Sequence, residues 1–335
     1  MSQGPLFADA RGLWWPVAFS RDLGRDLGSR PLSVVLAKSA LALFRDREGK
    51  AHALLDRCPH RGVKLSLGLV GEDGCLECPY HGWRFAGDGA CKLVPFNPTA
   101  KRERLGATAL PTVEGGGLIW VFADESAGKE DPRVQAGPTI PEWLERRDLR
   151  RREVEFVWRC HWTRLVENML DVPHLPFVHR RSIGRSLGAS VDRPINQHLI
   201  EQDDGFTLYW DARGDLDLED PQARAGLPFL SWIRPCTSVL ELSGPQGSYR
   251  QHLMSVPGAE GETRLLLVST RRFKLAVDLW LRPFFDRYET RVVHEDQLTV
   301  ESSDPVIVPP AGDERSVASD EATLRFRKWY GQRTG

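Results

Sequence analysis

Two strings carry most of the reading of this chain: Cys58-Pro59-His60-Arg61-Gly62 and Cys78-Pro79-Tyr80-His81-Gly82-Trp83. Each is a short loop that offers one thiolate and one imidazole, and 17 residues separate His60 from Cys78. Two Cys and two His are also an ordinary zinc set. Cys75 and Cys78 form a Cys-x-x-Cys that a redox dithiol or a zinc knuckle would use. Three details weigh against those readings. The pairs are mixed, so each loop contributes one ligand to each of two metals. Pro59 and Pro79 follow the cysteines and fix the turns. Gly62 and Gly82 close the loops and let backbone approach the metals closely.

Two irons, one held by two Cys and the other by two His, make a Rieske [2Fe-2S] centre. Tight loops that aim backbone N–H groups at sulfur raise its reduction potential. On these residues the segment resembles the Rieske domain of the Rieske-type non-haem iron oxygenases. Zinc is the alternative, and Cys75 reads as a buried or semi-buried bystander.

Composition is compatible with that resemblance. A chain of 335 residues is long enough for two domains. A net charge of −1 makes neither nucleic acid nor an anionic membrane an obvious partner. The six Cys do not read as a disulfide framework, because two are claimed by the loops and Cys75, Cys91, Cys160 and Cys236 are scattered. Free thiols suit a reducing cytoplasm. Met1–Ala10 lacks the pattern of a signal peptide, and no apolar run approaches the ~20 residues that span a bilayer.

Residues 1–125 read as β-rich. Ser33–Ala37, Leu41–Arg45, Ala51–Asp56 and Leu118–Phe122 are strand candidates, with a turn at Asp46-Arg47-Glu48-Gly49. Gly115-Gly116-Gly117 lacks the spacing and following helix of a phosphate loop, so it reads as a hairpin turn. Residues 126–150 are polar and rich in Gly, Pro and charge, the signature of a linker. The basic run Glu145–Glu153 reads as a solvated stretch between domains, with a docking face for an electron donor as the other option. Residues 151–335 form the second domain. There Phe206–Trp210, Ser231–Ile233, Val239–Leu242, Gln251–Val256 and Arg264–Thr270 read as antiparallel strands.

The second informative string is Asn168-Met169-Leu170-Asp171-Val172-Pro173-His174-Leu175-Pro176-Phe177-Val178-His179. Trp162–Leu170 has helical spacing, which puts Asn168, Asp171 and His174 roughly on one side of a helix. Pro173 and Pro176 distort or end it. His179 lies too far from His174 for one face of a regular helix, but a broken backbone would bring both imidazoles onto one metal. Two His and one carboxylate with open positions make the facial triad of non-haem Fe(II) oxygenases. The string resembles the mononuclear-iron motif of the Rieske oxygenases. That resemblance implies that His174 and His179 are ligands and that Asn168 stands beside the iron. It also implies that Asp171 hydrogen-bonds a ligating His in its own subunit and His81 of the next.

The third ligand must come from downstream. Val292-Val293-His294-Glu295-Asp296-Gln297-Leu298-Thr299-Val300-Glu301 has the pattern of an amphipathic helix. By resemblance to Rieske monooxygenases Asp296 closes the triad, with Glu295 and Glu301 as the runners-up and His294 an outsider. Pro305, Pro309, Pro310, Glu314, Asp320 and Phe326-Arg327-Lys328-Trp329 extend the resemblance over nearly the whole chain.

The resemblance implies an α+β chain. An all-β Rieske [2Fe-2S] domain is followed by a helix-grip catalytic domain of the START or Bet v 1 kind, with an antiparallel sheet around a long C-terminal helix and mononuclear Fe(II). Phe229, Trp232, Tyr249, Trp280, Phe284 and Phe285 are candidates to line its cavity, against the ordinary reading of core aromatics. Arg234, Arg250 and Arg264 are candidates to pair with a substrate carboxylate, although each reads first as solvent-facing.

The implied activity is monooxygenation of a small aromatic or heterocyclic substrate by O2, as hydroxylation or O- or N-demethylation. Electrons would come from a separate NAD(P)H-dependent reductase or a ferredoxin, since the chain lacks Gly-x-Gly-x-x-Gly. The length and the tail look closer to the vanillate and dicamba demethylase branch than to ring dihydroxylases. A head-to-tail homotrimer would bring the cluster of one subunit to the iron of the next. The alternatives are a cis-dihydroxylase, an electron carrier with an inert second domain, and a zinc-containing small-molecule-binding protein.

Overall fold

The structure, a computed structural model, describes residues 6–182, 184, 191, 194–211, 214–244, 247–273, 275–310 and 312–334, with 243–244, 275–285 and 334 as backbone alone. Its fold is mixed, with antiparallel sheets throughout. Two compact units divide the chain: Met1–Glu145 with Val256–Glu260, and Arg146–Ser255 with Gly261–Gly335.

The first unit holds β1 (Trp14–Phe19), β2 (Leu32–Leu36), β3 (Ser39–Arg45), β4 (Ala51–Leu55), β5 (Leu69–Val70), β6 (Leu76–Glu77), β7 (Arg84–Phe85), β8 (Cys91–Leu93), β9 (Ala109–Leu110), β10 (Thr112–Gly115) and β11 (Leu118–Phe122). They pair as three sheets, β2-β3-β4-β9, β5-β6-β7-β8 and β1-β11-β10. The turn after β3 forms because Asp46 Oδ1 accepts the N–H groups of Glu48 and Lys50, while Gly49 takes a positive φ. The triple glycine is the β10–β11 hairpin turn, with Gly116 and Gly117 both at positive φ. Ala42, Phe44, Leu54, Leu65, Leu76 and Phe85 form a buried cluster that takes in Cys58 and Cys78. The core thereby ends at the ligand loops. Two short helices follow, α1 (Pro132–Ala136) and α2 (Glu142–Glu145), and Asp131 caps α1 by accepting the Arg133 N–H at 2.8 Å.

The second unit is one seven-stranded antiparallel sheet of β12 (Arg150–Trp158), β13 (Asn196–Gln202), β14 (Gly205–Asp211), β15 (Phe229–Ile233), β16 (Thr237–Gly244), β17 (Gly247–Pro257) and β18 (Thr263–Phe273), in the order β12-β18-β17-β16-β15-β14-β13. Its helices are α3 (Trp162–Leu170), α4 (Leu175–Val178), α5 (Pro221–Arg224), α6 (Leu275–Val300) and α7 (Glu321–Thr334).

The basic run is not a solvated connector. From Arg150 onward it is the edge strand β12, in register with β18 from Arg150↔Arg271 to Trp158↔Thr263. Period-2 alternation explains this, because Val154, Phe156 and Trp158 turn to the core. The charges of the run are met locally, as in the Arg151–Glu153 ion pair and the Arg152–Glu289 ion pair.

Glu289, Val293, Asp296 and Val300 are all buried on α6, at spacings of four, three and four residues, which is one helical face. Val293 and Val300 pack in a cluster with Trp158, Leu165, Leu253, Leu265 and Leu267. Two carboxylates thus sit within an apolar stripe. Trp232 belongs to the core: it meets Phe326 and Trp329 of α7 edge-on at 5.3 and 5.0 Å, and Trp162 of α3 meets Phe326 and Tyr330. Tyr249 donates its hydroxyl to Glu289. The side chains of Trp280, Phe284 and Phe285 lie outside the described residues.

Candidate metal centres

The two ligand loops of the first unit share one hydrogen-bond pattern. Gly62 N donates to Cys58 O and Gly82 N to Cys78 O, while Cys58 N donates to Val63 O and Cys78 N to Trp83 O. Gly62 and Gly82 both hold positive φ, at 71° and 67°. A side chain there would be strained, which is why glycine closes each loop. The β6–β7 hairpin carries the second loop, and the chain leaving β4 carries the first.

Cys58 and Cys78 are buried, and the His60 and His81 rings lie 4.7 Å apart. Trp83 stacks on His60 at 4.6 Å, nearly parallel. Burial, followed by the neighbouring His81 and Arg61, holds the His60 imidazole below its ordinary value. The shift favours the neutral form that a metal ligand requires. Burial pushes the Cys58 thiol up to about 11. His60 Nδ1 is a buried atom with no hydrogen-bond partner. A pair of buried thiols and an orphaned ring nitrogen on matched loops fit a [2Fe-2S] cluster with mixed ligands. Cys75 is buried as well.

In the second unit α3 spans Trp162–Leu170, the stretch with helical spacing. Asp171 is its C-cap with extended backbone, so Asp171 and His174 leave the helix instead of sharing its face. His174 and His179 flank the single turn α4, immediately before Leu175 and immediately after Val178. Pro173 lies in the break between the two helices and Pro176 in the first turn of α4, where proline is tolerated; both rings reach Asp296 of α6. His174 Nε2 lies 3.3 Å and His179 Nε2 3.1 Å from the same oxygen, Asp296 Oδ1. The three ligand atoms lie within 4.8 Å of one another. Atoms about 2.1 Å from a common ion stand about 3 Å apart, so the trio fits a facial triad.

Asn168 Nδ2 donates to Asp296 Oδ1 at 3.3 Å. Asp171 Oδ2 is 3.5 Å from His174 Nδ1, a separation at which charge attraction counts for more than a hydrogen bond. On the far side of His179, Nδ1 meets Glu295 Oε2 at 3.0 Å. Burial alone would lower the His174 pKa, but Asp171 and Asp296 outweigh it and lift the imidazole to about 9. Burial would raise Asp296, yet the two imidazoles hold it below the usual carboxylate range.

Of the other sequence candidates, Glu301 accepts the Arg159 N–H at 2.8 Å. His294 is an exposed ring beside Gln297 and Phe156. Neither joins the trio. Arg234, Arg250 and Arg264 lie over Trp232, against Glu241 and against Glu155 respectively.

A cavity of about 570 Å³ opens beside the α4 turn, lined by Val172, Pro173, Pro176, Phe177, Gln197 and Trp210 among others. A smaller one of about 290 Å³ is lined by Asn168, Asp171 and His174 and, among other charged side chains, by the linked group Arg164, Glu167, Glu314 and Arg327. That ion cluster was not anticipated from the sequence. Its one legible trace was the i,i+3 pairing of Arg164 and Glu167 within an apolar helix. The part played by Glu295 had a clearer signal, a second carboxylate directly beside Asp296.

Two family descriptions cover the chain: a Rieske [2Fe-2S] domain at residues 13–113, and the vanillate O-demethylase oxygenase C-terminal domain at residues 158–333, more than half of the chain. Among similar proteins, chlorophyllide a oxygenase of Chlamydomonas reinhardtii is 29% identical over 332 residues, covering 95% of this chain and 47% of that protein. The oxygenase component of dicamba O-demethylase of Stenotrophomonas maltophilia is 35% identical over 187 residues, or 55% of this chain and 52% of that one. Methylxanthine N1-demethylase NdmA of Pseudomonas putida is 28% identical over 333 residues, covering 95% and 88%. Its solved structure superposes with a TM-score of 0.76 at 25% identity, over 96% of this chain and 90% of that one. The chain spans about half the length of the first two of these relatives. Among the described residues no helix is long and apolar enough to cross a membrane.

Proposed function

The chain belongs to the family of the vanillate O-demethylase oxygenase C-terminal domain, here joined to a Rieske [2Fe-2S] domain, and from that premise we propose that it is the oxygenase component of a monooxygenase. The reaction is R–H + O2 + 2e⁻ + 2H⁺ → R–OH + H2O. Where R–H is an O- or N-methyl group, the hydroxymethyl product loses formaldehyde, and the net change is demethylation. The names of the dicamba and methylxanthine demethylases support that outcome over ring dihydroxylation. The observation that carries the reading is the grouping of His174, His179 and Asp296, whose ligand atoms lie within 4.8 Å of one another; the apolar cavity is lined by Val172, Pro173, Pro176 and Phe177 from the segment that carries both histidines.

Cys58, His60, Cys78 and His81 would hold the cluster, and His174, His179 and Asp296 the mononuclear iron. When bound, the cluster supplies electrons singly and the iron supplies O2 activation. The chain's own groups prepare that site. Asn168 steadies Asp296 through its amide N–H. Asp171 Oδ2, 3.5 Å from His174 Nδ1, attracts that edge of the ring, which would favour presenting Nε2 to a bound metal. His179 and Asp296 are nearly sealed from water. Val172, Pro173, Pro176 and Phe177 offer a small aromatic or heterocyclic substrate an apolar wall.

His81 is exposed and Asp171 one-third exposed, so each is open to a partner. In this reading Asp171 of one chain meets His81 of its neighbour in a head-to-tail trimer. A separate NAD(P)H-dependent reductase or a ferredoxin supplies the electrons. Cys75, Cys91, Cys160 and Cys236, none of them in a disulfide, suit a reducing cytoplasm.

The test is iron content together with substrate-dependent O2 uptake, using a generic reductase and a panel of methoxy-, N-methyl- and aryl substrates. We expect about three irons per chain, two in the cluster and one mononuclear, with uptake abolished by His174→Ala. Asp171→Asn should keep the iron and lose electron delivery to it. Two irons per chain, unchanged in His174→Ala, would mean an electron carrier instead.

A further inference from the structure

We propose that Glu295, next to the triad carboxylate on α6, is the positioning residue that sets the tautomer of His179 and so the affinity of the mononuclear site for its metal. The inference rests on the reading of His174, His179 and Asp296 as ligands.

The geometry is a clamp on one imidazole. Consecutive residues on a helix point about 100° apart. Here that divergence sends Asp296 to the Nε2 edge of His179, at 3.1 Å, and Glu295 to its Nδ1 edge, at 3.0 Å. The His179 ring is almost wholly buried, so water does not replace either partner. A carboxylate accepts and does not donate, so Nδ1 carries the hydrogen. With Nδ1 so occupied, the ring would offer its Nε2 lone pair to a metal that Asp296 also ligates. Without Glu295 the opposite tautomer becomes favourable, because Asp296 would itself draw a proton onto Nε2. The half-buried negative charge of Glu295 also strengthens the imidazole as a metal ligand.

Glu295 is itself held on both oxygens. Ser182 donates its hydroxyl to Oε2 at 2.5 Å, and Arg291 donates Nε to Oε1 at 3.0 Å. Ser182 also closes the turn after the ligand, its N–H donating to the His179 carbonyl at 2.8 Å. One carboxylate therefore orients the ring and ties the His179 turn to the helix that carries Asp296. Loss of such an outer partner typically weakens metal binding 10–100-fold.

The experiment titrates Co(II) into chain whose cluster is intact and whose mononuclear site has been stripped by a mild chelator. Calorimetry gives the affinity, and difference spectra give the ligand-field bands of the bound ion. We expect Glu295→Ala to bind Co(II) about 10–100-fold more weakly, with Glu295→Gln in between and its bands displaced. Thermal unfolding of the stripped variants should match that of the wild type. Glu301→Gln, a carboxylate on the same helix that faces the Arg159 N–H, should bind as the wild type does. If Glu295→Ala does not fold, the affinity and bands of Glu295→Gln decide the matter. Co(II) binding within threefold of wild type in the Glu295 variants, or equal weakening in Glu301→Gln, overturns the proposal if His174→Ala abolishes binding, and leaves the triad standing. Wild-type binding in His174→Ala overturns the triad and this inference with it.

Discussion

Replacing Arg327 with methionine removes one of two cations from a buried four-member cluster and tests how the segment that carries the candidate ligands is held. Arg327 Nη2 donates to Glu314 at 2.6 Å and to Glu167 at 3.1 Å, and its Nε also reaches Glu167. Arg164 meets Glu314 at 2.9 Å and Glu167 at 3.3 Å, and donates to the Pro305 carbonyl at 2.7 Å. Two cations balance two anions, and they join α3, the segment after α6 and α7. Methionine keeps much of the volume, so the loss is electrostatic: two carboxylates are left with one guanidinium. Breaking a buried pair by deleting one partner costs about 3–5 kcal/mol. Glu314 is one-third exposed, and solvent screens its share, so the lower end, about 3 kcal/mol, applies. At about 2–4 °C per kcal/mol for a unit of this size, the second unit should melt about 6–12 °C lower. Adding Glu167→Gln removes the orphaned charge and should recover at least about 1 kcal/mol. Calorimetry of the single and double variants checks both numbers. A cost below about 1 kcal/mol in the single variant, or a double variant no more stable than the single, would refute the reasoning.

Acid stability should report on His252, which is fully buried. Burial first, then Arg250, push its imidazole down to about 3. The unfolded chain protonates near the ordinary 6.5, so the folded state is unaffected above that pH and loses stability as pH falls from 6.5 toward 3. The slope is about 1.4 kcal/mol per pH unit, or about 2 kcal/mol by pH 5. Denaturant titrations of wild type and His252→Leu between pH 7 and 5 should diverge by that slope, and parallel curves would contradict it. At the other centre, Cys58→Ser should bleach the visible cluster absorption and lower iron from about three to about one per chain. Retention of colour, or zinc in place of iron in the wild type, would remove the cluster assignment.

The ligand loops were legible because their chemistry is local. Cys, Pro, His and Gly within five or six residues dictate a turn whatever surrounds it, and the structure gives both loops the same hydrogen bonds. The strands of the first unit were legible for a similar reason, since alternation and Asx or glycine turns act at short range. The run Arg150–Glu153 was misread because charge outweighed periodicity in a composition-based view. Edge-strand pairing and ion partners that arrive from α6 override it. Asp171 and His174 do not share a helix face with Asn168, because spacing alone cannot show that Asp171 leaves the helix to cap it.

The sequence by itself determined the kind of chemistry: a mixed Cys/His pair of loops, two histidines spaced by a proline-broken turn, and a downstream run of carboxylates. Only the tertiary structure decided which carboxylate does what. By spacing alone Glu295, Asp296 and Glu301 are equivalent, and only the resemblance singled out Asp296. The rotation of α6 against the α4 turn, fixed by Val293 and Val300 in the core, puts Asp296 between two imidazoles, Glu295 behind one of them and Glu301 on a backbone N–H. A helix advances about 100° per residue, so neighbouring acids acquire different roles only when packing sets that angle.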